Sequence, residues 1–251
     1  HDLMSDELVQ KASNLAKDHL TNLTFHLSPH AGEVSQYLEK TGMRPINHLS
    51  ELGVLGSHVL IGHAVHLNDS ELETLLHSKT AIASCPWAYL KLGQGVTKFG
   101  RHPEFLSKGG RLSLGCDTEN AGDNKDLLST ARLFSGLIQE ANLKLDKPAS
   151  HYALELITIS GAEALGLKEE IGSLEIGKRA DVVLIDTSGP SWQPPSPDPV
   201  MQLIWGANSS DIDSVVARGK IIVENKKCKT LDESALAGEA KARQENLLKS
   251  A

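Results

Sequence analysis

Two histidines and one aspartate stand out for where they fall. His26 sits near the end of the apolar run Leu23-Thr24-Phe25-His26-Leu27 and His63 near the end of residues 59–65. Asp117 directly follows Leu114-Gly115-Cys116. Imidazole nitrogens with one hard carboxylate oxygen suit Zn²⁺ or Fe²⁺ and leave a coordination position for water. A cation so bound brings the pKa of its water toward neutrality and makes hydroxide available for attack. Each residue alone has a plainer reading. A lone strand histidine is more often a hydrogen-bonded core residue, and an aspartate at a strand end more often caps the next helix. Three of them at strand ends shift the balance toward a metal.

Strands alternating with helices are what would place them so. Ser5 reads as an N-cap, and Leu8, Ala12, Leu15, Ala16 and His19 follow at helical spacing. Apolar runs at 23–27, 59–65, 80–85 and 111–116 read as four buried strands. Helices fall between them at 33–40, 47–55, from Asn68-Asp69 to His77, and near 103–108, with a Gly-rich loop through Gly93, Gly95 and Gly100. Near-continuous apolar strands separated by helices make a parallel sheet, either doubly wound or part of a (β/α)8 barrel. Both architectures do their chemistry at the carboxyl ends of the strands.

The rest of the chain changes character. Residues 127–141 and 152–165 read as helices, 180–186 as a strand, and Pro190 to Pro199 as a loop. Residues 215–218 and 220–224 flank Gly219 as a hairpin, and 231–249 form a charged terminal helix. The expected division is a barrel portion over 1–170 and a β-sandwich return with the terminal helix over 171–251. With 25 Lys+Arg against 32 Asp+Glu, the net charge of −7 argues against nucleic-acid binding. No run approaches the ~18 apolar residues of a membrane span. Three scattered cysteines make no disulfide framework, and His1-Asp2-Leu3-Met4-Ser5 is neither a signal nor a transit peptide, so a cytoplasmic location is expected.

A series of short motifs supports a metal-dependent reading. In order they are His26-Leu27-Ser28, Ile61-Gly62-His63-Ala64-Val65-His66-Leu67, Ser84-Cys85-Pro86, Leu92-Gly93-Gln94-Gly95-Val96 and Leu114-Gly115-Cys116-Asp117. Gly161-Ala162-Glu163-Ala164-Leu165-Gly166 and the block from Gly172 to Val183 (Gly-Ser-Leu-Glu-Ile-Gly-Lys-Arg-Ala-Asp-Val-Val) complete it. The series resembles the amidohydrolase superfamily, in the branch of cytosine, guanine and S-adenosylhomocysteine deaminases and triazine hydrolases. The resemblance implies an α/β fold, the C-terminal half of a (β/α)8 TIM-type barrel followed by a small β-sandwich return element. It implies a metal-dependent hydrolase of a non-peptide carbon–nitrogen bond in a small heterocycle, a deaminase or amidohydrolase, with metal-bound hydroxide as the attacking group.

Residue by residue, the resemblance assigns His26 to the metal from barrel strand five. It gives His63, on strand six, to the metal or to orienting water and substrate. It assigns Asp117, on strand eight, to the metal and to taking the water's proton. Trp87 and Tyr89 are candidates to stack on a flat substrate, and Glu119 is a further acid at the rim. The implied cofactor is one divalent metal, zinc before iron. Two departures qualify the match. The family's His-x-His pair on strand one is absent, and four strand–helix units precede the tail where a closed barrel needs eight strands. The site therefore calls for a missing N-terminal barrel half or a homo-oligomer. Second, the family's His-x-x-Glu proton shuttle reads His26-Leu27-Ser28-Pro29, with Glu33 and His30 as nearby substitutes. An inactive or metal-poor subunit or fragment is the alternative these departures keep open.

Overall fold

The chain enters its first helix where the sequence places an N-cap. The Ser5 hydroxyl accepts the Leu8 N–H and starts α1 (Asp6–Asp18). The structure, a computed structural model, describes residues 4–123 and 125–250, so the opening residues read above as no leader lie in part outside the described residues. After α1 come β1 (Leu23–Leu27), α2 (Ala31–Thr41), α3 (Pro45–Glu51), β2 (Val59–His63), α4 (Asp69–Ser78) and β3 (Ala81–Ser84). Three short helices follow, α5 (Pro86–Lys91), α6 (Val96–Phe99) and α7 (His102–Ser107), then β4 (Leu112–Leu114) and α8 (Glu119–Gly122). Helices α9 (Leu127–Glu140), α10 (Ala149–Leu156) and α11 (Ile159–Ala164) lead to β5 (Val182–Ile185), α12 (Pro199–Gly206), β6 (Ile212–Ala217), β7 (Lys220–Glu224), β8 (Lys227–Cys228) and α13 (Glu233–Ser250).

Strands β1 to β4 form one parallel sheet in sequence order. Because side chains alternate along a strand, its two faces differ in kind. Leu27, Ile61, Ile82, Leu112 and Leu114 join Leu72, Leu75, Phe105 and Phe134 in the main core beneath the helices. Burying each such side chain contributes roughly 1.5–3 kcal/mol, so this face holds the sheet together. The opposite face carries the row His26, Gly62, Ala83 and Ser113, aligned across the four strands. A Cβ on Gly62 would stand 3.6 Å from the His26 Cα, an ordinary contact distance.

Helix α11 seals the amino-terminal end of that inner face. Ala164 packs with Leu60, Ala81 and Ala83. Asn22 Nδ2 donates to the Ala164 carbonyl at 2.9 Å, and Arg111 donates to the carbonyls of Ser57, Lys79 and Glu163 at 2.7–2.9 Å. The helix expected over 152–165 is in fact two. Thr158, at φ −128° and ψ −103°, breaks it and lets α11 swing under the sheet.

The proline-rich segment read as a loop also holds a helix. Asp198 caps α12 through the Met201 N–H, and Pro199 at its first position needs no donor. Ile204 of α12 joins the main core, and Arg132 of α9 donates to the carbonyls of Ile204 and Ala207. Strands β5 to β8 form a second sheet, antiparallel in sequence order and a single layer among the described residues. Arg218 and Gly219, both at positive φ, make the two-residue turn between β6 and β7. No helix among the described residues is long and apolar enough to cross a membrane.

Candidate metal centre at the strand ends

The carboxyl ends of β1 to β4 carry a concentration of unusual backbone. Ser28, His63, Ala64 and Asp117 all take positive φ, from 51° to 76°. Such a conformation costs a non-glycine residue on the order of 1–3 kcal/mol and persists only where neighbours hold it. The holding bonds are present. His102 Nε2 donates to the His63 carbonyl at 2.6 Å, Ala64 N–H to the Leu27 carbonyl at 2.9 Å, and Lys125 Nζ to the Asp117 carbonyl at 2.6 Å.

These turns bring three ligand atoms together. The His63 ring nitrogen, Cys85 Sγ and an Asp117 oxygen lie within 4.8 Å of one another. His63 Nδ1 stands 4.0 Å from Asp117 Oδ2, beyond direct hydrogen-bond reach, with the side chains 12% and 18% exposed. That Nδ1 is buried with no hydrogen-bond partner, which is costly for a polar atom unless something else satisfies it. Asp117 Oδ1 accepts the Thr118 N–H at 2.7 Å, which fixes the carboxylate with Oδ2 toward His63. Burial holds the His63 imidazole below its ordinary pKa; the Asp117 charge opposes that and His26 adds to it. Burial first, then Asp117, pushes the Cys85 thiol up to about 12.

The other expected site residues divide. His26, exposed on β1, stands with its ring centroid 5.8 Å from that of His63 and so borders the cluster. Trp87 is half-buried at the start of α5, its Nε1 buried without a partner. Tyr89 does not present a stacking face. It is wholly buried, its hydroxyl accepts the Cys85 N–H at 2.7 Å, and its ring lies against His102. Glu119 turns to solvent, 85% exposed and 3.3 Å from Lys125. Glu33 and His30 have structural duties at the tip of β1: Glu33 Oε1 accepts the Ser28 N–H at 2.8 Å, and His30 Nδ1 accepts the Glu33 N–H at 3.1 Å.

Two residues were not anticipated here. Cys85 enters the sequence reading only through the Ser84-Cys85-Pro86 motif, although alternation from Ala81 and Ala83 puts it on the inner face. His102, although its sequence neighbours are polar, is buried directly behind His63. Burial lowers the pKa of His102 to about 4. The unfolded histidine takes up its proton below about 6.5 and the folded one resists until about 4, so stability falls across that window as pH drops. The full loss is about 3 kcal/mol. Urea unfolding at pH 7.5 and 4.5 is expected to show most of it, and His102→Gln to remove much of the difference.

The profile of the Amidohydrolase family matches residues 4–222. The chain belongs to the amidohydrolase family. It is 34% identical over 244 residues to a 5'-deoxyadenosine deaminase of Methanobrevibacter smithii, covering 97% of this chain and 55% of that protein. It is 36% identical over 210 residues to a 5-methylthioadenosine/S-adenosylhomocysteine deaminase of Moorella thermoacetica, covering 84% and 48%. A crystal structure of an adenosine deaminase from Xanthomonas campestris with bound zinc superposes at TM-score 0.92 and 25% identity, covering 98% of this chain and 55% of that one. The chain thus spans about half the length of the curated relatives it matches. The parallel sheet and its helices are part of the amidohydrolase barrel, as the strand motifs implied.

Proposed function

We propose that this amidohydrolase chain carries the C-terminal part of a zinc-dependent deaminase that releases ammonia from a 6-aminopurine nucleoside. The observation that carries the proposal is the buried, unpartnered His63 Nδ1, 4.0 Å from Asp117 Oδ2 and grouped with Cys85 Sγ. Nitrogen, sulfur and carboxylate oxygen in one buried cluster is a donor set that suits zinc. The relatives named as adenosine-type deaminases supply the substrate class. His63 and Asp117 would hold the metal, with His26 beside them.

Zinc bound there supplies a water of lowered pKa near neutral pH. Asp117 Oδ2, the oxygen not engaged by Thr118, accepts the proton of the attacking water. His63, kept neutral by burial, would orient that water and stabilise the charge that develops on its oxygen during attack. Trp87 lies on the first turn after β3 and bounds the purine. One water is consumed: its oxygen becomes the carbonyl, one proton goes to the adjacent ring nitrogen, and the other passes by way of Asp117 to the amine, so the C–NH₂ bond breaks and ammonia leaves.

The same reading divides the chain into a barrel portion, 1–170, and a return element, 171–251, with α12 reaching back onto the barrel helices. A complementary N-terminal barrel half or a second copy completes the site beside β1 and β4, in the cytoplasm, where the free thiols of Cys85, Cys116 and Cys228 would stay reduced. Pro29 in place of the shuttle glutamate favours a second reading, an inactive or metal-poor subunit or fragment.

Metal analysis and an ammonia-release assay on adenosine, 5'-deoxyadenosine and S-adenosylhomocysteine separate the two. The expected result is near-stoichiometric zinc and ammonia release that stops on chelation and returns with zinc. Zinc without ammonia from any of them supports the second reading. A chain that takes up no zinc overturns the deaminase reading for this chain and supports the metal-poor one.

A further inference from the structure

We propose that Tyr89 and His102 form a positioning pair that fixes the His63 backbone in its left-handed turn and so aims the imidazole at Asp117. The inference rests on the reading of His63 as a site residue and concerns how the fold makes it one. By alternation along β2, residue 63 belongs with Ile61 on the helix-facing side, and its register partner Leu27 lies in that same core. His63 nonetheless groups with Cys85 and Asp117 at the opposite rim. The consecutive positive φ values of His63 (76°) and Ala64 (51°) make the difference.

Something must hold that turn, and the connection from β3 to β4 supplies it. Helices α5 and α7 carry Tyr89 and His102 behind the tips of β2 and β3. A carbonyl can only accept, so the 2.6 Å contact between His102 Nε2 and the His63 oxygen places the proton on Nε2. The Tyr89 hydroxyl accepts the Cys85 N–H at 2.7 Å and donates toward the same His63 oxygen at 3.5 Å. The two rings lie nearly parallel, 10° apart with centroids at 5.7 Å, and Tyr89 meets the His63 ring edge-on at 5.7 Å. One stacked pair thus fastens the backbone of His63 and that of Cys85 together. Both residues are wholly buried, so they act through their neighbours and not on a ligand.

The test uses His102→Leu, which fills the space without a donor, and His102→Gln, which keeps an N–H near the Nε2 position. Two signals are read on the full chain: the ¹³Cα shift of His63 in histidine-labelled, metal-free protein, and Co²⁺ affinity by chelator competition. His102→Leu is expected to move the His63 signal away from left-handed values and to weaken Co²⁺ binding about tenfold, as loss of an outer support does. His102→Gln is expected to restore both. A folded His102→Leu protein that keeps the His63 shift and the Co²⁺ affinity overturns the proposal. Should His102→Leu not fold, Tyr89→Phe is expected to move the same signals in the same direction, and no movement in either overturns it. A parent protein that binds no Co²⁺ sinks the metal reading instead, while the His63 shift still judges the pair.

Discussion

Asp117→Asn is expected to cut ammonia release from an adenine nucleoside by about 10²–10⁴-fold, the usual weight of one proton-transfer group. The amide cannot take a proton from water at Oδ2, and it removes the only carboxylate in the cluster with His63 and Cys85. The fold is expected to survive. Asparagine tolerates the 63° φ of this position as aspartate does, and its side-chain oxygen can still accept the Thr118 N–H. Steady-state rates beside a thermal melt read both halves of the expectation. An unchanged rate with an unchanged melt would remove Asp117 from the mechanism.

The largest effect on stability is expected from Glu71→Ala, a loss of about 3–5 kcal/mol in urea unfolding, the range for breaking a buried ion pair from one side. Glu71 is wholly buried. Its carboxylate accepts Arg44 Nε at 2.7 Å and the backbone N–H groups of Ile46 and Asn68 at 3.2 Å. Removing it strands those donors and takes away the glutamate half of the capping box at the start of α4, while the residue-71 N–H still donates to Asn68 Oδ1. Arg44 is partly solvated, which favours the lower end of the range. It also donates to the His66 carbonyl at 2.7 Å, and His66 Nε2 bonds the Gln94 carbonyl at 2.9 Å, so the rim loops after β2 and β3 loosen together. A loss below about 1 kcal/mol would show the network to be worth no more than an exposed pair.

How far the sequence revealed this arrangement depends on the range of the interactions concerned. The apolar run 23–27 is β1 residue for residue, because a continuous apolar stretch between polar breaks is a local signal. The run 59–65 was read two residues too long, since His63 and Ala64 turn left-handed and nothing local announces that. Asp117 and His63 were recognisable from strand ends and motif wording. Cys85 was recoverable from alternation along β3. His102 was beyond reach. It sits 39 positions from the carbonyl it bonds, and its neighbours Arg101, Pro103 and Glu104 have the composition of an exposed turn. Helix α12 was obscured by prolines counted as breakers, although Pro199 stands where a helix accepts one.

The plug that α11 makes beneath the inner face bears on traffic. With Ala164 seated on Leu60, Ala81 and Ala83 and the arginine at 111 stitching the strand starts together, the amino-terminal end of this part of the sheet is covered. Anything that reaches His63 and Asp117 past this part of the sheet must come from the side where the strands end.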